Sequence, residues 1–381
     1  MTFKIIKKDK KTKARIGILK TKKGNLETPL FMPVATKTAV KFIDSLRLKE
    51  LNVQAVISNS FILSLNSGLV SLIEKMKGIG NFMNFDGVNF TDSGGFQMYS
   101  QALYEKSNDK GILFKNPING EKIFMTPEEN MKLQLRLSSE IAMCLDSMPL
   151  YENSRKEIKE AVGKTILWAK ICKETHDKLQ KNKYDNKNKR IKKQLLFGIT
   201  QGGICQDLRE YCIKELLKLN FDGYAIGGFG LGEKRKDEFK IIELHKKLIP
   251  ENKPIYLMGI GDPIEILEAI KLGCDIFDSR MPTQNARHGT LFTSQGKLRI
   301  FNKKYESDKN PIDKKCKCFV CNNYSMAYIR FLLKEEEPVG KELASYHNLY
   351  YLNNLIRESK NAIRKGKFKK FVEKTKRCYK N

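Results

Sequence analysis

Three apolar runs of this chain end in a carboxylate, a group that could act as acid, base or nucleophile. Asp92 ends "GVNFTD", Asp146 ends "IAMCLD" and Asp278 ends "CDIFD". For any one aspartate, a role as helix cap or turn former is the plainer explanation. The same placement repeated after three of the runs instead predicts a shared site. Three further runs end in other residues that could contact a ligand: Gln201, Gly227, Gly228 and Met258.

A second group of residues has the composition of a metal site. Three cysteines stand close together in "CKCFVC", and a histidine follows in "SYHN". Three thiolates and one imidazole form a closed tetrahedral site of the structural zinc type, and a disulfide plus a free thiol is the alternative. The predicted ligands are Cys316, Cys318, Cys321 and His347. His176 and His245 lie on polar helical segments and are predicted at the surface.

Eight β-rich apolar runs must position the three carboxylates. Such runs, without polar alternation, are typical of parallel strands buried on both faces. Helical segments lie between most of them; "TPEENMKLQLR", for example, begins with a cap at Thr126 and a proline at Pro127. Eight strand–helix units predict an α/β fold, a (β/α)8 TIM barrel, whose functional residues collect at the C-terminal ends of the strands.

The length of 381 residues accommodates one large barrel and a small additional part. We predict a catalytic barrel with an N-terminal hairpin over residues 1–300. A zinc-binding subdomain and C-terminal helices packed on the barrel are predicted over residues 301–381. Two insertions interrupt the barrel pattern: residues 99–125 predict a hairpin-bearing loop after the third strand, and the polar residues 179–190 precede the fifth.

The net charge of +28, from 71 Lys and Arg against 43 Asp and Glu, favours a polyanionic partner. Nucleic acid is the predicted partner, although a lysine-rich composition alone would give the same charge. No apolar run reaches the roughly 18 to 20 residues of a membrane span, and the N-terminus has no signal-peptide pattern. Nine cysteines, an odd number and mostly scattered, indicate a reducing compartment. A cytoplasmic protein without membrane contact is therefore expected.

Taken in order, these motifs resemble the tRNA-guanine transglycosylase family in its bacterial, queuosine-pathway form. The resemblance extends over nearly the whole chain. It rests on the segments at 28–41, 91–97 ("TDSGGFQ"), 197–203 ("FGITQGG"), 223–233 ("GYAIGGFGLGE"), 257–261 and 277–289, and on the cysteine–histidine cluster. It implies exchange of guanine at the wobble position of tRNA for a 7-deazaguanine, in queuosine biosynthesis. Whether that base is 7-aminomethyl-7-deazaguanine or queuine is left open by the sequence.

The resemblance also implies catalytic roles for two of the carboxylates. Asp278 would attack the ribose anomeric carbon and hold the tRNA as a covalent intermediate, since an adjacent anion stabilises an oxocarbenium-like transition state. Asp92 would be the general acid and base that handles the proton on the purine ring nitrogen. Asp92 would also contact the bound base.

Further residues would bind the base. Asp146 would accept N–H bonds from its amide and amino edge, and Gln201 and the backbone amide of Gly228 would bind its carbonyl. Phe96 and Met258 would enclose its two faces. Ordinary core packing is the alternative for Phe96, and a helix cap is the alternative for Asp146.

Two positions depart from the family pattern. Ile62 replaces a usual histidine, and Gln284 replaces a usual arginine after "PT". Because that arginine would contact the anticodon loop, we predict that Arg280 or Arg287 supplies the missing charge. Arg280, Gln284 and Arg287 are therefore the predicted tRNA contacts.

The resemblance implies one structural zinc ion per subunit and a homodimer in which one protomer is catalytic. Two other functions are considered. A (β/α)8 glycoside hydrolase would also use strand-end carboxylates, but would not require the metal cluster or the charge. A non-catalytic, tRNA-binding partner subunit would be expected to lack one of the two catalytic aspartates.

Overall fold

The computed structural model describes residues 2–100, 102–117, 119–184, 193–230 and 232–379; the side chains of 67, 96, 99 and 182–184 lie outside the described part. In chain order its strands are β1 (Phe3–Lys8), β2 (Arg15–Lys20), β3 (Asn25–Thr28), β4 (Leu30–Pro33), β5 (Ala55–Asn59), β6 (Val88–Asp92), β7 (Tyr104–Asn108), β8 (Gly111–Lys115), β9 (Lys122–Met125), β10 (Ile141–Met143), β11 (Leu195–Thr200), β12 (Gly223–Ile226), β13 (Ile255–Leu257), β14 (Ile276–Ser279), β15 (Thr290–Thr293) and β16 (Gly296–Arg299).

Eight of these strands form one parallel sheet in the order β4-β14-β13-β12-β11-β10-β6-β5. Its two outer strands meet through a bridge between Val34 and Ile57, and the amide of Ala35 donates to the carbonyl of Ile57 at 2.7 Å. The sheet therefore curves into a nearly closed barrel. Each of its strands lies in one of the eight predicted apolar runs, which confirms the (β/α)8 fold.

Helices cover the outside of the barrel. They are α1 (Ser45–Glu50), α2 (Ser60–Ser64), α3 (Ser67–Lys75), α4 (Ile79–Phe82), α5 (Pro127–Arg136), α6 (Arg155–Tyr184), α7 (Gln206–Leu217), α8 (Arg235–Leu248) and α9 (Pro263–Leu272). The predicted start of α5 is confirmed, since the Thr126 hydroxyl accepts from the Glu129 amide at 3.2 Å. Across the described ranges, none of the helices is long and apolar enough to cross a membrane.

Large side chains fill the barrel interior. The rings of Phe197 and Tyr256 meet the Phe90 ring edge-on at centroid distances of 6.0 and 6.2 Å. The antiparallel sheet β1–β2–β3 adds Phe3 and Leu19 to this interior cluster. It therefore closes the N-terminal end of the barrel, and the opposite end carries the polar strand ends.

A buried ion pair fastens this N-terminal sheet to β14. Arg15 donates two hydrogen bonds to Asp275, from Nε at 2.9 Å and from Nη2 at 2.6 Å, and both side chains are buried. The same guanidinium donates to the carbonyls of Glu251 and Lys253 at 2.8 Å. Since each of the three guanidinium nitrogens has an acceptor and the counter-charge is Asp275, the charge is compensated in the dry interior.

The first insertion is a three-stranded antiparallel sheet, β7–β8–β9, which confirms the predicted hairpin. The indole of Trp168 on α6 donates to the carbonyl of Asp109 at 2.8 Å, so this sheet is attached to the barrel helices. The second insertion begins as the end of α6. Its residues 185–190 lie outside the described residues.

The chain continues with α10 (Met281–Arg287), the hairpin β15–β16, α11 (Phe319–Asn323), α12 (Met326–Lys334), α13 (Pro338–Arg364) and α14 (Phe368–Cys378), and short 3-10 turns lie at Gly95–Tyr99 and Lys303–Tyr305. Helix α13 packs against α10, α12 and β4. Asn348 on α13 donates to the carbonyls of Pro282 and Thr290 at 3.0 Å. The elements after β14 are thereby held against the barrel. The division at residue 300 stays a prediction.

Candidate active site

The three predicted carboxylates converge at the C-terminal rim of the barrel. Asp92 ends β6, Asp278 lies in β14, and Asp146 follows β10 by three residues. Burial and the negative charges of Asp146 and Asp278 raise the pKa of Asp92 to about 7. A carboxyl group with that pKa exchanges a proton readily near neutral pH.

Asp278 uses one of its oxygens for positioning. The Tyr256 hydroxyl donates to Oδ1 at 2.6 Å and the Gly259 amide donates to the same atom at 3.0 Å. Burial raises the pKa of Asp278, while these two hydrogen bonds lower it. Oδ2 accepts no hydrogen bond from the described residues, so it is the oxygen available for bond formation.

Asp146 is paired with Gln201 in a buried contact. Gln201 Nε2 donates to Asp146 Oδ2 at 2.6 Å, and the Ser93 hydroxyl donates to Oδ1 at 3.3 Å. Burial raises the pKa of Asp146 to about 6, against the lowering effect of these two hydrogen bonds. Gln201 Oε1 has no hydrogen-bond partner although it is buried. This orphaned atom is the kind of polar group that a ligand would satisfy.

Glycines form the walls around this pair. A Cβ on Gly95 would lie 2.4 Å from Asp146 Oδ1, and one on Gly228 would lie 2.7 Å from Gln201 Oε1. Gly228 also has a φ of +77°, which favours glycine. Both glycines therefore allow the backbone to approach the two polar side chains that the sequence predicts as base ligands.

Three further positions that the sequence singled out are Met258, Phe96 and Ile62. Met258 is half-buried at the end of β13 and packs against the barrel interior. The side chain of Phe96 lies outside the described part. Ile62 is the third residue of α2, where its amide donates to the capping Asn59 Oδ1 at 2.9 Å. Asn59 Nδ2 donates to Asp92 Oδ2 at 3.3 Å, so the polar support of Asp92 from this segment comes from Asn59.

Arg209 is a buried residue of the site that the sequence did not indicate. It donates to the carbonyls of Thr200, Gly203 and Gly227 at 2.7 to 2.8 Å, and its guanidinium lies 4.8 Å from the centroid of the Phe229 ring. It therefore ties together the loops that follow β11 and β12. It comes from α7, and nothing in its local sequence distinguishes it from a surface arginine.

The prediction of surface histidines was wrong. His245 is fully buried, with Nε2 at 2.7 Å from the Thr200 hydroxyl and Nδ1 at 2.7 Å from the carbonyl of Ile241. His176 is buried beside Gln194. Burial lowers the pKa of His245 to about 3, so its ring is neutral and serves the packing of α8 on the barrel.

The predicted tRNA contacts lie on and beside α10, directly after the nucleophile candidate. Arg280 is exposed, and Gln284 and Arg287 are half-buried. Arg287 Nη1 lies 3.5 Å from the Thr283 hydroxyl. Burial and the positive charge of Arg280 lower the pKa of Arg287.

The cysteine–histidine cluster forms a compact donor set. The three thiol sulfurs and His347 Nδ1 lie within 4.8 Å of one another, so the group could hold a metal ion. Nδ1 is 3.9, 3.5 and 3.4 Å from the sulfurs of Cys316, Cys318 and Cys321. His347 Nε2 is 2.7 Å from the carbonyl of Phe292, a contact that directs Nδ1 toward the sulfurs.

A family model described as "Queuine tRNA-ribosyltransferase" matches residues 9–381. Proteins with the same name are similar over nearly full length. One from Halothermothrix orenii is 38% identical, with 100% of this chain and 98% of the relative covered. Others are from a Thermoanaerobacter species, at 42% identity with 97% and 95% covered, and from Clostridium acetobutylicum, at 44% with 95% and 96% covered. The chain belongs to the queuine tRNA-ribosyltransferase family of enzymes.

Proposed function

We propose that this enzyme exchanges guanine at the wobble position of tRNA for a 7-deazaguanine through a covalent bond between Asp278 and the ribose. The observation that carries the proposal is the convergence of Asp92, Asp146 and Asp278 at one rim of the barrel. One carboxyl has a free oxygen, one has a pKa of about 7, and one is paired with an amide. These are the three environments that a nucleophile, an acid–base group and a base-binding group require.

In the first half-reaction, Asp278 Oδ2 attacks C1′ of the ribose as the bond from C1′ to the guanine N9 breaks. The electron pair of that bond leaves with guanine, and protonated Asp92 transfers its proton to the base. Tyr256 and Gly259 hold the other oxygen of Asp278, so the attacking oxygen has a fixed direction. The product is a ribosyl ester of Asp278 and free guanine.

In the second half-reaction, the incoming base occupies the same pocket. The Asp92 carboxylate removes the ring N–H proton of the 7-deazaguanine, and the base attacks C1′ and displaces Asp278. Two displacements at C1′ give overall retention of configuration. Asp92 ends protonated and Asp278 ends ionised, so the enzyme returns to its starting state.

Asp146, Gln201 and Gly228 would bind the base. Asp146 would accept from its amide and amino groups, and the Gly228 amide and the second Nε2 hydrogen of Gln201 would donate to its carbonyl. The orphaned Oε1 of Gln201 supports a ligand at this place. Met258 and Phe96 would cover the two faces of the base.

The steric limit at Gly95 gives the first prediction. Because an alanine Cβ would lie 2.4 Å from Asp146 Oδ1, Gly95→Ala must displace the carboxylate that binds the base. We expect kcat/KM for guanine exchange to fall by roughly 100-fold, while the Kd for tRNA stays the same. Gly163→Ala is the matched control, since a Cβ there meets nothing within 4 Å. Equal exchange kinetics in the two variants would contradict this account of the pocket.

The raised pKa of Asp92 gives the second prediction. Protonated Asp92 predominates below pH 7 and its carboxylate above, since burial and two neighbouring charges raise the pKa to about 7. Formation of the covalent adduct in a single turnover should therefore slow as pH rises above about 7. Resolution of the adduct by the incoming base should slow as pH falls below about 7. Rapid-quench measurements from pH 5.5 to 9 check both trends, and opposite or absent trends would exclude Asp92 from this role.

Incorporation of radiolabelled guanine into tRNA tests the overall reaction. The proposed enzyme exchanges the label, whereas a glycoside hydrolase or a non-catalytic tRNA-binding subunit would not. Parallel assays with 7-aminomethyl-7-deazaguanine and with queuine identify the incoming base.

Binding of the anticodon loop would use Arg280, Gln284 and Arg287. Neutralising both arginines should lower the affinity for tRNA and the dependence of that affinity on salt concentration. Unchanged values would remove these contacts from the proposal.

The ion at the cysteine–histidine cluster would be zinc. A tetrahedral zinc site with Zn–S near ~2.3 Å and Zn–N near ~2.1 Å has S–N edges of about 3.6 Å. The separations of 3.4 to 3.9 Å between His347 Nδ1 and the three sulfurs fit that figure. With four protein ligands the ion would have no open position, so its contribution would be structural and it would supply no step of the reaction.

A homodimer is supported by an unpaired apolar surface near this cluster. Leu46 on α1 is 64% exposed and Phe331 on α12 is 57% exposed, and Phe319 and Tyr328 are also exposed. The Arg47 guanidinium lies 5.2 Å from the centroid of the Phe319 ring, so α1 and α11 contribute to one surface. A solution mass of one chain by light scattering would contradict the dimer.

We further propose a cytoplasmic location, which cell fractionation tests.

A further inference from the structure

The loop from 34 to 44 leaves the barrel beside the nucleophile candidate. It follows β4, whose Met32 and Pro33 pair with Asp278 and Ser279 of β14. Within the loop, the amide of Ile43 donates to the carbonyl of Val40 at 3.0 Å, and both of these side chains are buried. The turn is therefore anchored at its two ends and presents its central residues, Lys41 and Phe42, at the rim.

Phe42 has an unusual backbone conformation for its residue type. Its φ is +64°, in the left-handed region where a bulky side chain is strained. Strain of this kind persists where surrounding contacts fix it and is concentrated at functional sites. The ring lies 5.8 Å, centroid to Cζ, from the Arg287 guanidinium and 5.6 Å, centroid to Nζ, from Lys41. Arg287 belongs to α10, so the ring bridges the loop after β4 and the helix after β14.

Within the described part of the chain, the cations at this place have no acidic partners. Among the described residues, no carboxylate lies within ion-pair distance of Lys41, Arg280 or Arg287. Arg287 is instead held by the Phe42 ring and the Thr283 hydroxyl. An aromatic ring orients a guanidinium without cancelling its charge. The group therefore keeps its positive charge for an anion that arrives from outside.

We propose that Phe42 is a positioning residue, which holds Arg287 at the rim so that its guanidinium binds a backbone phosphate next to the exchanged nucleotide of the RNA. This inference rests on the proposed function, because the RNA ribose must reach Asp278. Each ribose in RNA is flanked by two phosphodiesters, and Arg287 lies on the helix that begins three residues after Asp278. The planar guanidinium fork matches a phosphate, and RNA backbone contacts of this kind fix register without reading sequence.

Three substitutions at Phe42 distinguish the effect of the aromatic ring from the effect of the positive φ. Phe42→Leu keeps a bulky side chain at the same positive φ but removes the aromatic face, and Phe42→Tyr keeps that face. Phe42→Gly removes the side chain and the strain together. We expect the Leu and Gly variants to raise the Kd for tRNA by roughly three- to ten-fold, and the Tyr variant to bind like the wild type. The Gly variant should melt no lower than the wild type, since glycine adopts this φ freely.

Salt dependence distinguishes a held cation from other roles of the ring. The slope of log Kd against log salt concentration should decrease by about one in Arg287→Gln. It should shift in the same direction in Phe42→Leu, and the double variant should be no weaker than Arg287→Gln alone. A loss of affinity at an unchanged slope would mean that the ring contacts a base, and would overturn the proposal. Unchanged affinity in Phe42→Leu would overturn it as well.

The wild-type exchange assay separates this inference from the proposed function. If the wild type exchanges guanine into tRNA and Phe42→Leu binds tRNA with the wild-type affinity and slope, only the inference is wrong. A wild type that exchanges no guanine would refute the proposed function, and the inference with it. Inorganic phosphate serves as a competitor in the binding assay. Competition that is equal in the wild type and in Phe42→Leu would show that the ring does not position the anion site, and would overturn the inference.

Discussion

Replacing Asp278 with asparagine should abolish the covalent tRNA adduct and lower guanine exchange by roughly 10⁴-fold or more. The amide has the same shape as the carboxylate and can still accept from Tyr256 and Gly259, but its oxygen is a poor nucleophile and carries no charge. The positive charge that develops on the ribose in the transition state would then lack its nearest anion. Folding should be preserved, because a raised pKa means that the buried Asp278 is costly in its ionised form.

The measurement is a denaturing gel of enzyme mixed with labelled tRNA, together with the rate of guanine exchange. Tyr256→Phe is the control, since it removes one hydrogen bond to Oδ1 and leaves the carboxylate in place. This control should still form the adduct, at a reduced rate. An adduct of normal yield in Asp278→Asn, with the variant verified by mass spectrometry, would mean that another residue is the nucleophile.

Loss of the proposed zinc ion should have the second largest effect, on stability. In Cys318→Ser the site loses one ligand, and the hydroxyl that replaces the thiol is a poor zinc ligand. Because a structural zinc ion contributes its binding free energy to folding, we expect the metal content to fall below one ion per chain. The apparent Tm should fall by more than about 10 °C. Treatment of the wild type with a strong chelator should have the same effect.

Two neighbouring contacts explain why loss of the ion should also disturb the geometry of the active site. The Cys318 sulfur accepts from the Cys321 amide at 3.3 Å and so begins α11, and His347 lies on α13, which packs against α10. Exchange activity should therefore fall together with the Tm. Cys378 lies outside the cluster, so Cys378→Ser is the control. Its metal content and Tm should equal those of the wild type. A Cys318→Ser variant with normal metal content and Tm would contradict the proposed ligand set.

The barrel and the carboxylates were predictable from the sequence because both depend on local patterns. An apolar run that is buried on both faces marks a strand, and the residue at its end lies at the rim. For this reason Asp92, Asp146 and Asp278 could be placed together without knowing how the strands pair. The cysteine–histidine cluster, which could hold a metal ion, followed from residue type and spacing alone.

Residues that depend on contacts far along the chain were not predictable. Arg209 donates to three carbonyls at and after the ends of β11 and β12. His245 is buried and contacts the Thr200 hydroxyl at the end of β11. Both residues nevertheless lie in helices of polar composition. Tyr256 could have been noticed as the one hydroxyl residue of the run "PIYLMGIG", but its partner Asp278 is known only once β13 and β14 are paired. The positive φ of Phe42 likewise follows from a turn whose ends are fixed by the core.

The ion pair between Arg15 and Asp275 has a consequence at the opposite end of the barrel. Asp275 lies three residues before Asp278, and an extended chain of that length is a nearly rigid rod of about 10 Å. The two hydrogen bonds from Arg15 to Asp275 therefore help to fix the position of Asp278 along the strand. A tag or truncation that disturbs the first thirty or so residues would therefore shift Asp278, the proposed nucleophile, although none of those residues needs to touch the tRNA.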